Sequence, residues 1–202
     1  MIKINGGDTQ EIGRKILHIM IGSAVLLLIV YNIFTQLIIF ILLCVAISIS
    51  LFSLHYKIPV VNFFLSNFER DRDKNQLPGK GFLFAAAGTL LALRLFDKDI
   101  ALASMIILIF ADPLSYLIGK YFGKTKSFLD RRKNIEGNIA GFIVSSLLAL
   151  FFVPPTLAIA GSLAAMLFES LIIEIQKIEL DDNLIIPLAA GTIMFLIRTF
   201  LM

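Results

Sequence analysis

Long hydrophobic runs dominate the chain, and short polar connections separate them. Residues 16–56 contain no Asp, Glu, Lys or Arg, which is typical of two membrane-spanning helices joined by a turn. The runs are continuous, whereas the strands of a transmembrane barrel alternate. The pattern predicts an all-α integral membrane protein with a single domain, residues 1–202. About seven spanning helices are expected, at 15–31, 33–56, 81–96, 99–119, 138–153, 156–174 and 183–200.

The connection at 57–80 is long enough to hold an element of its own. It begins apolar and aromatic and ends in mixed charge, which predicts an interfacial helix lying on the membrane surface. In the alternative interpretation, its charged end closes over a functional site through Arg70, Arg72 and Lys80.

Basic residues are unevenly distributed between the two sides of the predicted membrane. Only 16% of the residues are charged, against about 25% in soluble domains. Fifteen of the eighteen Lys and Arg fall on the side of the N-terminus, and Arg94, Lys98 and Arg198 fall on the other. The positive-inside rule then predicts a cytoplasmic N-terminus. We expect a multi-pass protein of the cell membrane with its functional site on the cytoplasmic side.

A few acids interrupt the apolar runs. Asp112 lies in the fourth predicted span, Glu169 in the sixth, and Asp182 opens the seventh. Charges inside a membrane are costly and usually functional. Carboxylates beside a basic loop have the composition of a site in which acids hold Mg²⁺ and cations hold phosphate. In the structural alternatives, Asp112 only forms a hydrogen bond to a neighbouring helix, and the carboxylate of Glu169 reaches water.

The first predicted helix carries a polar stripe at its start. Glu11, Lys15 and His18 are spaced four and three residues apart, which places them on one helix face, and Arg14 lies beside them. Such a stripe is not expected to face lipid. The alternatives are a Lys15 side chain that snorkels to the interface and a His18 that is a satisfied buried histidine.

The densest positive charge of the chain precedes two glycines, in the stretch RRKNIEGNIAGF at 131–142. Gly137 and Gly141 have the same four-residue spacing as Gly119 and Gly123. This spacing indicates close helix packing, and it also suits backbone N–H groups that approach a polyphosphate. The chain has no Walker A sequence, which excludes a P-loop enzyme.

Five motifs carry a family resemblance over most of the chain, from about Glu11 to Gly191. In order they are GRKILHIMIG, LPGKGFLFAAAGTLLAL, ADPLSYLIGKYFGKTK, RRKNIEGNIAGF and DDNLIIPLAAG. Together they resemble the CTP-dependent lipid-alcohol kinases, which include dolichol and polyprenol kinases, phytol kinase and the yeast-type diacylglycerol kinase. That family is related to the phosphatidate cytidylyltransferases, whose C-terminal His-Gly-Gly segment has no counterpart in this sequence.

The resemblance implies transfer of the γ-phosphate of CTP to the hydroxyl of an isoprenoid or other lipid alcohol, with Mg²⁺ as cofactor and CDP as product. The implied catalytic residues are Asp112, Arg14, Lys15 and His18. The implied nucleotide-binding residues are Gly119, Lys120, Gly123, Lys124, Arg131, Arg132, Lys133, Asn134, Glu136 and Gly137. The implied metal ligands are Asp112, Glu136, Glu169 and Asp182. Asn134 departs from the family pattern, which has Ser or Thr at this position.

Other functions remain open from the sequence. A CDP-lipid synthase of the cytidylyltransferase type is the first alternative. A small ion-coupled transporter would use Asp112 and Glu169 as coupling acids, and a structural membrane subunit would leave those acids unexplained. The expected partners are a lipid alcohol, CTP and membrane lipids, without nucleic acid. The glycine pairs also permit a homodimer.

Overall fold

The computed structural model describes residues 6–56, 58–68, 77–126, 134–174 and 181–202, and the regular structure in these ranges is helical apart from one isolated β-bridge. The helices are α1 (Gly6–Val30), α2 (Gln36–Ser53), α3 (Pro59–Phe68), α4 (Lys80–Leu95), α5 (Lys98–Phe122), α6 (Ile135–Ala149), α7 (Pro155–Glu174) and α8 (Asp182–Leu201). The prediction of an all-α integral membrane protein is confirmed. The seven predicted spans correspond to α1, α2 and α4 to α8.

Four of these helices are long and apolar enough to cross a membrane: α1 from Gln10 onwards, α2, α5 and α8. Two shorter apolar stretches, Ile135–Ala149 and Pro155–Glu169, belong to α6 and α7. The fifteen residues of α6 extend only about 22 Å at 1.5 Å per residue, less than the hydrocarbon thickness of about 30 Å. The count of seven spans therefore stays a prediction for α4, α6 and α7.

Helix α5 forms the centre of the bundle. It packs against α1, α4, α6, α7 and α8. Within its most apolar 18-residue stretch, 72% is buried inside the protein. Small side chains at Ala101, Ala103, Ser104 and Ala111 are almost fully buried and let the neighbouring helices approach closely. A helix that is buried on all sides has apolar residues all around its axis, and the sequence of α5 shows this pattern.

Helix α1 lies at the edge of the bundle and packs on α5. Gly22 marks a close approach, since a Cβ there would lie 2.7 Å from Cγ1 of Ile109. Near the start of α1, Gly13 faces the ring of Phe68 in α3. The predicted interfacial helix is thus present as α3, with Phe63 and Phe64 exposed, and its place on a membrane surface stays a prediction.

Polar contacts join the helices at both ends of the bundle. Asn183 Nδ2 donates to the carbonyl of Gly81 at 3.2 Å, which brings the start of α8 beside the start of α4. At the other end, Arg198 of α8 donates from Nη1 to Asp99 Oδ1 at 3.0 Å and from Nη2 to Asp99 Oδ2 at 2.5 Å. These contacts fix α8 against α4 and α5.

Candidate functional site

A buried ion pair joins α1 to α5. The ammonium group of Lys15 donates to Oδ2 of Asp112, 97 residues further along the chain. Lys15 is only 7% exposed, and the Asp112 side chain is 22% exposed. Lysine is almost never buried without a partner. Here each of the two charged side chains has the other as its partner. The structure therefore brings together two of the predicted catalytic residues, one from each of the first and third motifs.

Arg14 extends this group of charges towards the start of α8. Its Nη2 atom lies 2.5 Å from Oε1 of Glu11, one turn earlier on α1. Its guanidinium is also within electrostatic reach of Asp112 and Asp181. Asp181 is the N-cap of α8, and its side chain accepts a hydrogen bond from the N–H of Asn183 at 3.0 Å. Three helices thus contribute charged groups to one region.

Tyr116 links the ion pair to the end of α5. The Nζ atoms of Lys15 and Lys120 lie 5.8 and 5.7 Å from the centroid of its ring, within the range of cation–π contacts. Sequence reasoning missed Tyr116, because an aromatic residue in an apolar run looks like a core residue. The ring thus contacts two ammonium groups, that of Lys15 from α1 and that of Lys120 from α5.

His18 lies one turn deeper on α1 than Arg14 and Lys15. Its ring is within electrostatic reach of Asp112, Lys15 and Arg14, and it contacts the backbone of Leu108 in α5. Its Nε2 atom is buried and has no hydrogen-bond partner among the described residues. The alternative of a satisfied buried histidine therefore does not describe this nitrogen.

The predicted glycine pairs lie mainly along the seam between α5 and α6. A Cβ on Gly137 would be 2.2 Å from the carbonyl oxygen of Ser115 and 2.8 Å from Cα of Gly119. A Cβ on Gly141 would be 2.6 Å from the carbonyl oxygen of Ala111. Close helix packing thus explains these glycines, and a contact between their N–H groups and a phosphate stays a prediction.

The basic loop leaves and rejoins the bundle at a narrow closure that we call the loop neck, formed by Thr125, Lys126, Asn134, Ile135 and Glu136. Lys126 and Asn134 form an antiparallel bridge, and the N–H of Ile135 donates to the carbonyl of Thr125 at 3.0 Å. The N–H of Thr125 donates to Oε1 of Glu136 at 3.0 Å. The loop therefore starts and ends at the same point beside the end of α5.

Backbone N–H groups stabilise the carboxylate at the loop neck. Hydrogen bonds from its own N–H and from those of Lys124 and Thr125 hold the pKa of Glu136 below its ordinary value, as expected for a carboxylate in the first turn of a helix. Glu136 therefore stays ionised at neutral pH.

Asn134 also has a defined contact at the neck. Its Nδ2 atom donates to the carbonyl of Gly119 at 2.5 Å, near the C-terminal end of α5. A Cβ on Gly123 would lie 2.3 Å from the same Nδ2 atom. The Asn134 amide, at the position predicted to differ from the resembling kinases, thus binds a helix carbonyl. The predicted phosphate ligands Arg131, Arg132 and Lys133 lie outside the described residues, and the exposed Lys124 lies just before the neck.

The four predicted metal ligands are placed on different elements. Glu169 is fully buried on α7, Glu136 belongs to the loop neck, and Asp182 begins α8. The described residues contain no group of three or more His, Cys, Asp or Glu that could hold a metal ion. Mg²⁺ is often bound by one or two carboxylates together with substrate phosphates. Asp112, next to cations that suit phosphate, fits such a shared site.

Comparison with known proteins gives three relatives, whereas no protein-family model and no solved structure matches the sequence. The uncharacterised protein MJ1137 of Methanocaldococcus jannaschii is 34% identical over 192 residues, which cover 88% of this chain and 89% of that protein. CTP-dependent diacylglycerol kinase 1 of Eremothecium gossypii is 25% identical over 146 residues, covering 59% of this chain and 45% of the kinase.

The kinase of the same name from Schizosaccharomyces pombe is 24% identical over 145 residues, which cover 63% of this chain and 64% of the kinase. The chain thus spans less than two thirds of either kinase. These two matches establish a distant homology.

Proposed function

This chain belongs to the same family as MJ1137 of Methanocaldococcus jannaschii, and from its distant homology to two CTP-dependent diacylglycerol kinases we propose that it is a CTP-dependent lipid kinase. The reaction transfers the γ-phosphate of CTP to the hydroxyl of a membrane lipid and releases CDP. The distribution of basic residues supports a site on the cytoplasmic side of the cell membrane.

The ion pair between Lys15 and Asp112 is the observation that carries this proposal. A phosphoryl-transfer site needs cations that neutralise phosphate oxygens, and it needs a carboxylate close to the transferred group. Lys15 and Asp112 supply both within the bundle, and Tyr116 holds Lys120 nearby. A structural role alone would require one pair of charges but not this second cation beside it.

In the proposed mechanism the triphosphate approaches from the loop side. Lys15, Lys120 and Arg14 neutralise its oxygens, and Arg131, Arg132 and Lys133 add contacts from the loop. When bound, Mg²⁺ supplies further neutralisation of the phosphates. Asp112 would hold the metal ion or would accept the proton of the lipid hydroxyl.

The pairing of Lys15 with Asp112 gives the site a resting state. In the structure the ammonium neutralises the carboxylate. A triphosphate carries several negative charges and competes for Lys15, so its arrival weakens the hold of Lys15 on Asp112. The carboxylate then becomes available for the metal ion or the proton. Nucleotide binding thus prepares Asp112 for the reaction.

The acceptor is proposed to be a lipid alcohol, because the site lies inside the bundle. Asp112 is ten residues before the end of α5 at Phe122, about 15 Å along the helix axis. A hydroxyl must reach this depth from the bilayer. The family motifs favour an isoprenoid alcohol such as polyprenol, dolichol, phytol or geranylgeraniol, and the names of the two kinases favour diacylglycerol.

The test uses purified protein in detergent with Mg²⁺ and a panel of isoprenoid alcohols, diacylglycerol and phosphatidate. CTP is labelled in turn at the γ- and α-phosphate. We expect label from the γ position in the lipid product, and the accepted alcohol identifies the substrate. Label from the α position would instead indicate a CDP-lipid synthase, and label from neither would favour the transporter.

A matched pair of variants connects this activity to the site. Asp112→Asn should abolish transfer. Asp97→Asn removes a carboxylate at the opposite end of the bundle, where the side chain is 69% exposed, and should leave transfer at the wild-type rate. Retained activity in Asp112→Asn would remove Asp112 from the mechanism.

A further inference from the structure

A buried nitrogen atom of the site has no partner in the described residues. Nε2 of His18 is enclosed by protein and forms no hydrogen bond there, whereas buried polar atoms are normally hydrogen-bonded. The surrounding groups are the pair formed by Lys15 and Asp112 and the guanidinium of Arg14. A polar ligand group that entered this site would meet the free nitrogen.

The other edge of the His18 ring determines what Nε2 can do. That edge faces the backbone of Leu108 in α5, and a helix backbone offers its carbonyl oxygen to a side chain. The contact favours the tautomer in which Nδ1 carries the proton and Nε2 carries the lone pair. Nε2 is then a hydrogen-bond acceptor and a base, so it suits a ligand O–H group.

The order of residues along α1 and α5 indicates that the nucleotide and the lipid alcohol would meet the site at different depths in the bundle. Lys15 precedes His18 by three residues, about 4.5 Å along α1, and Lys120 follows Asp112 by eight residues, about 12 Å along α5. The cations therefore lie towards the loop neck, and His18 lies towards the middle of the bundle. A triphosphate from the loop side meets the cations first, and a group from the bilayer meets His18.

The packing beyond His18 determines how such a group arrives. One turn further along α1, a Cβ on Gly22 would lie 2.7 Å from Cγ1 of Ile109. The two helices are therefore in direct contact there, and a lipid chain cannot run between them past His18. The chain of the acceptor must lie at the side of the bundle, in lipid, and only its hydroxyl reaches Nε2, when the side chains that enclose this atom move aside.

We propose, on the basis of the kinase function proposed above, that His18 binds the hydroxyl of the lipid alcohol and takes its proton. The O–H proton moves to Nε2, and the hydroxyl oxygen forms a bond to the γ-phosphorus. The bond from that phosphorus to the oxygen that bridges to the β-phosphate breaks, and its electron pair leaves with CDP. With the proton on His18, Asp112 remains a carboxylate, and of its two proposed roles it would keep that of holding the metal ion.

The test measures steady-state transfer from γ-labelled CTP for wild type, His18→Gln and His18→Leu. General-base catalysis contributes about 10²–10⁴-fold, so both variants should lose about 10²-fold or more in kcat. Gln can still bind the hydroxyl, so the KM for the alcohol should stay close to the wild-type value in His18→Gln and rise in His18→Leu. The KM for CTP should stay close to that of wild type in both.

The other histidine of the chain provides the matched control. His55 is exposed after the end of α2, and His55→Gln should behave as wild type. Binding of a fluorescent CTP analogue and thermal unfolding show that each variant is folded. His18→Gln with nearly wild-type kcat would overturn the proposal, and so would a loss of CTP binding in both variants. A wild type that transfers no γ-phosphate to any alcohol would refute the kinase function itself.

Discussion

Removing the carboxylate of Asp112 is expected to reduce stability as well as turnover. In the wild type this carboxylate neutralises an ammonium group, Lys15, that is only 7% exposed. Two unit charges about 4 Å apart interact by about 4 kcal/mol at an effective dielectric constant of about 20. Breaking a buried pair costs about 3–5 kcal/mol, because the other charge stays buried alone.

Asp112→Asn should therefore lower the free energy of unfolding by about 3 kcal/mol, the low end of that range, because the Asp112 side chain keeps 22% of its exposure. This corresponds to a change of about 150-fold in the unfolding equilibrium at 1.36 kcal/mol per tenfold. Lys15→Met leaves the opposite charge alone and should have a similar effect. The double variant has no lone charge, so its loss of unfolding free energy should be smaller than the sum of the two single losses. The difference, which is the coupling energy of the pair, should be about 2 kcal/mol.

The assay is unfolding by SDS in mixed micelles, followed by the transfer reaction on the same four proteins. Asp97→Asn is the control for stability and should change it by less than about 0.5 kcal/mol, because exposed ion pairs contribute little. The double variant should lose about 4 kcal/mol, against about 6 kcal/mol for the sum of the two single variants, and it should show no transfer. A coupling below about 0.5 kcal/mol would show that the pair does not stabilise the bundle. Transfer restored in the double variant would show that the pair is structural only.

Three further predictions concern the seam, the ring and the neck. Gly137→Ala should destabilise the protein by about 1–3 kcal/mol through overpacking in the same unfolding assay, whereas Gly13→Ala, with its nearest contact at 3.5 Å, should not. Tyr116→Leu should raise the KM for CTP several-fold and Tyr116→Phe should not, because the ring alone holds the two cations; equal effects would remove the ring from the site. Glu136→Ala should expose the N–H of Thr125 to hydrogen exchange at neutral pH, and unchanged protection would show that the carboxylate does not hold the neck.

Much of the helical architecture could be predicted from the sequence, because apolar runs report burial in lipid directly. The predicted spans 15–31 and 33–56 leave the break in the uncharged run at Asn32, and this residue adopts a left-handed φ of 57°. The start of α1 was predicted at residue 15, whereas the helix begins at Gly6. Hydropathy reports the part of a helix that lies in lipid, and the first nine residues of α1 are mainly polar or glycine.

The candidate site could be predicted only where a charge stands in an apolar run. Lys15 and Asp112 are visible for that reason, and the structure brings them together. Tyr116 has no such signal, since its function in the site depends on two cations that meet it from different helices. The loop neck depends partly on backbone hydrogen bonds, such as that from Ile135 to Thr125, which any sequence can form. The glycine spacing indicated close packing, but it did not indicate that α6 fills the space beside Gly119.

Helix α5 is apolar on almost every side, so burial alone hardly distinguishes one rotation about its long axis from another. Asp99 and Asp112 are thirteen residues apart, which places them about 140° apart around a helix of 3.6 residues per turn. One is bound by Arg198 of α8 and the other by Lys15 of α1. A turn of α5 by a single residue, about 100°, would pull both carboxylates away from their partners. The two acids therefore fix the rotation of the central helix about its long axis, which apolar packing alone leaves undetermined.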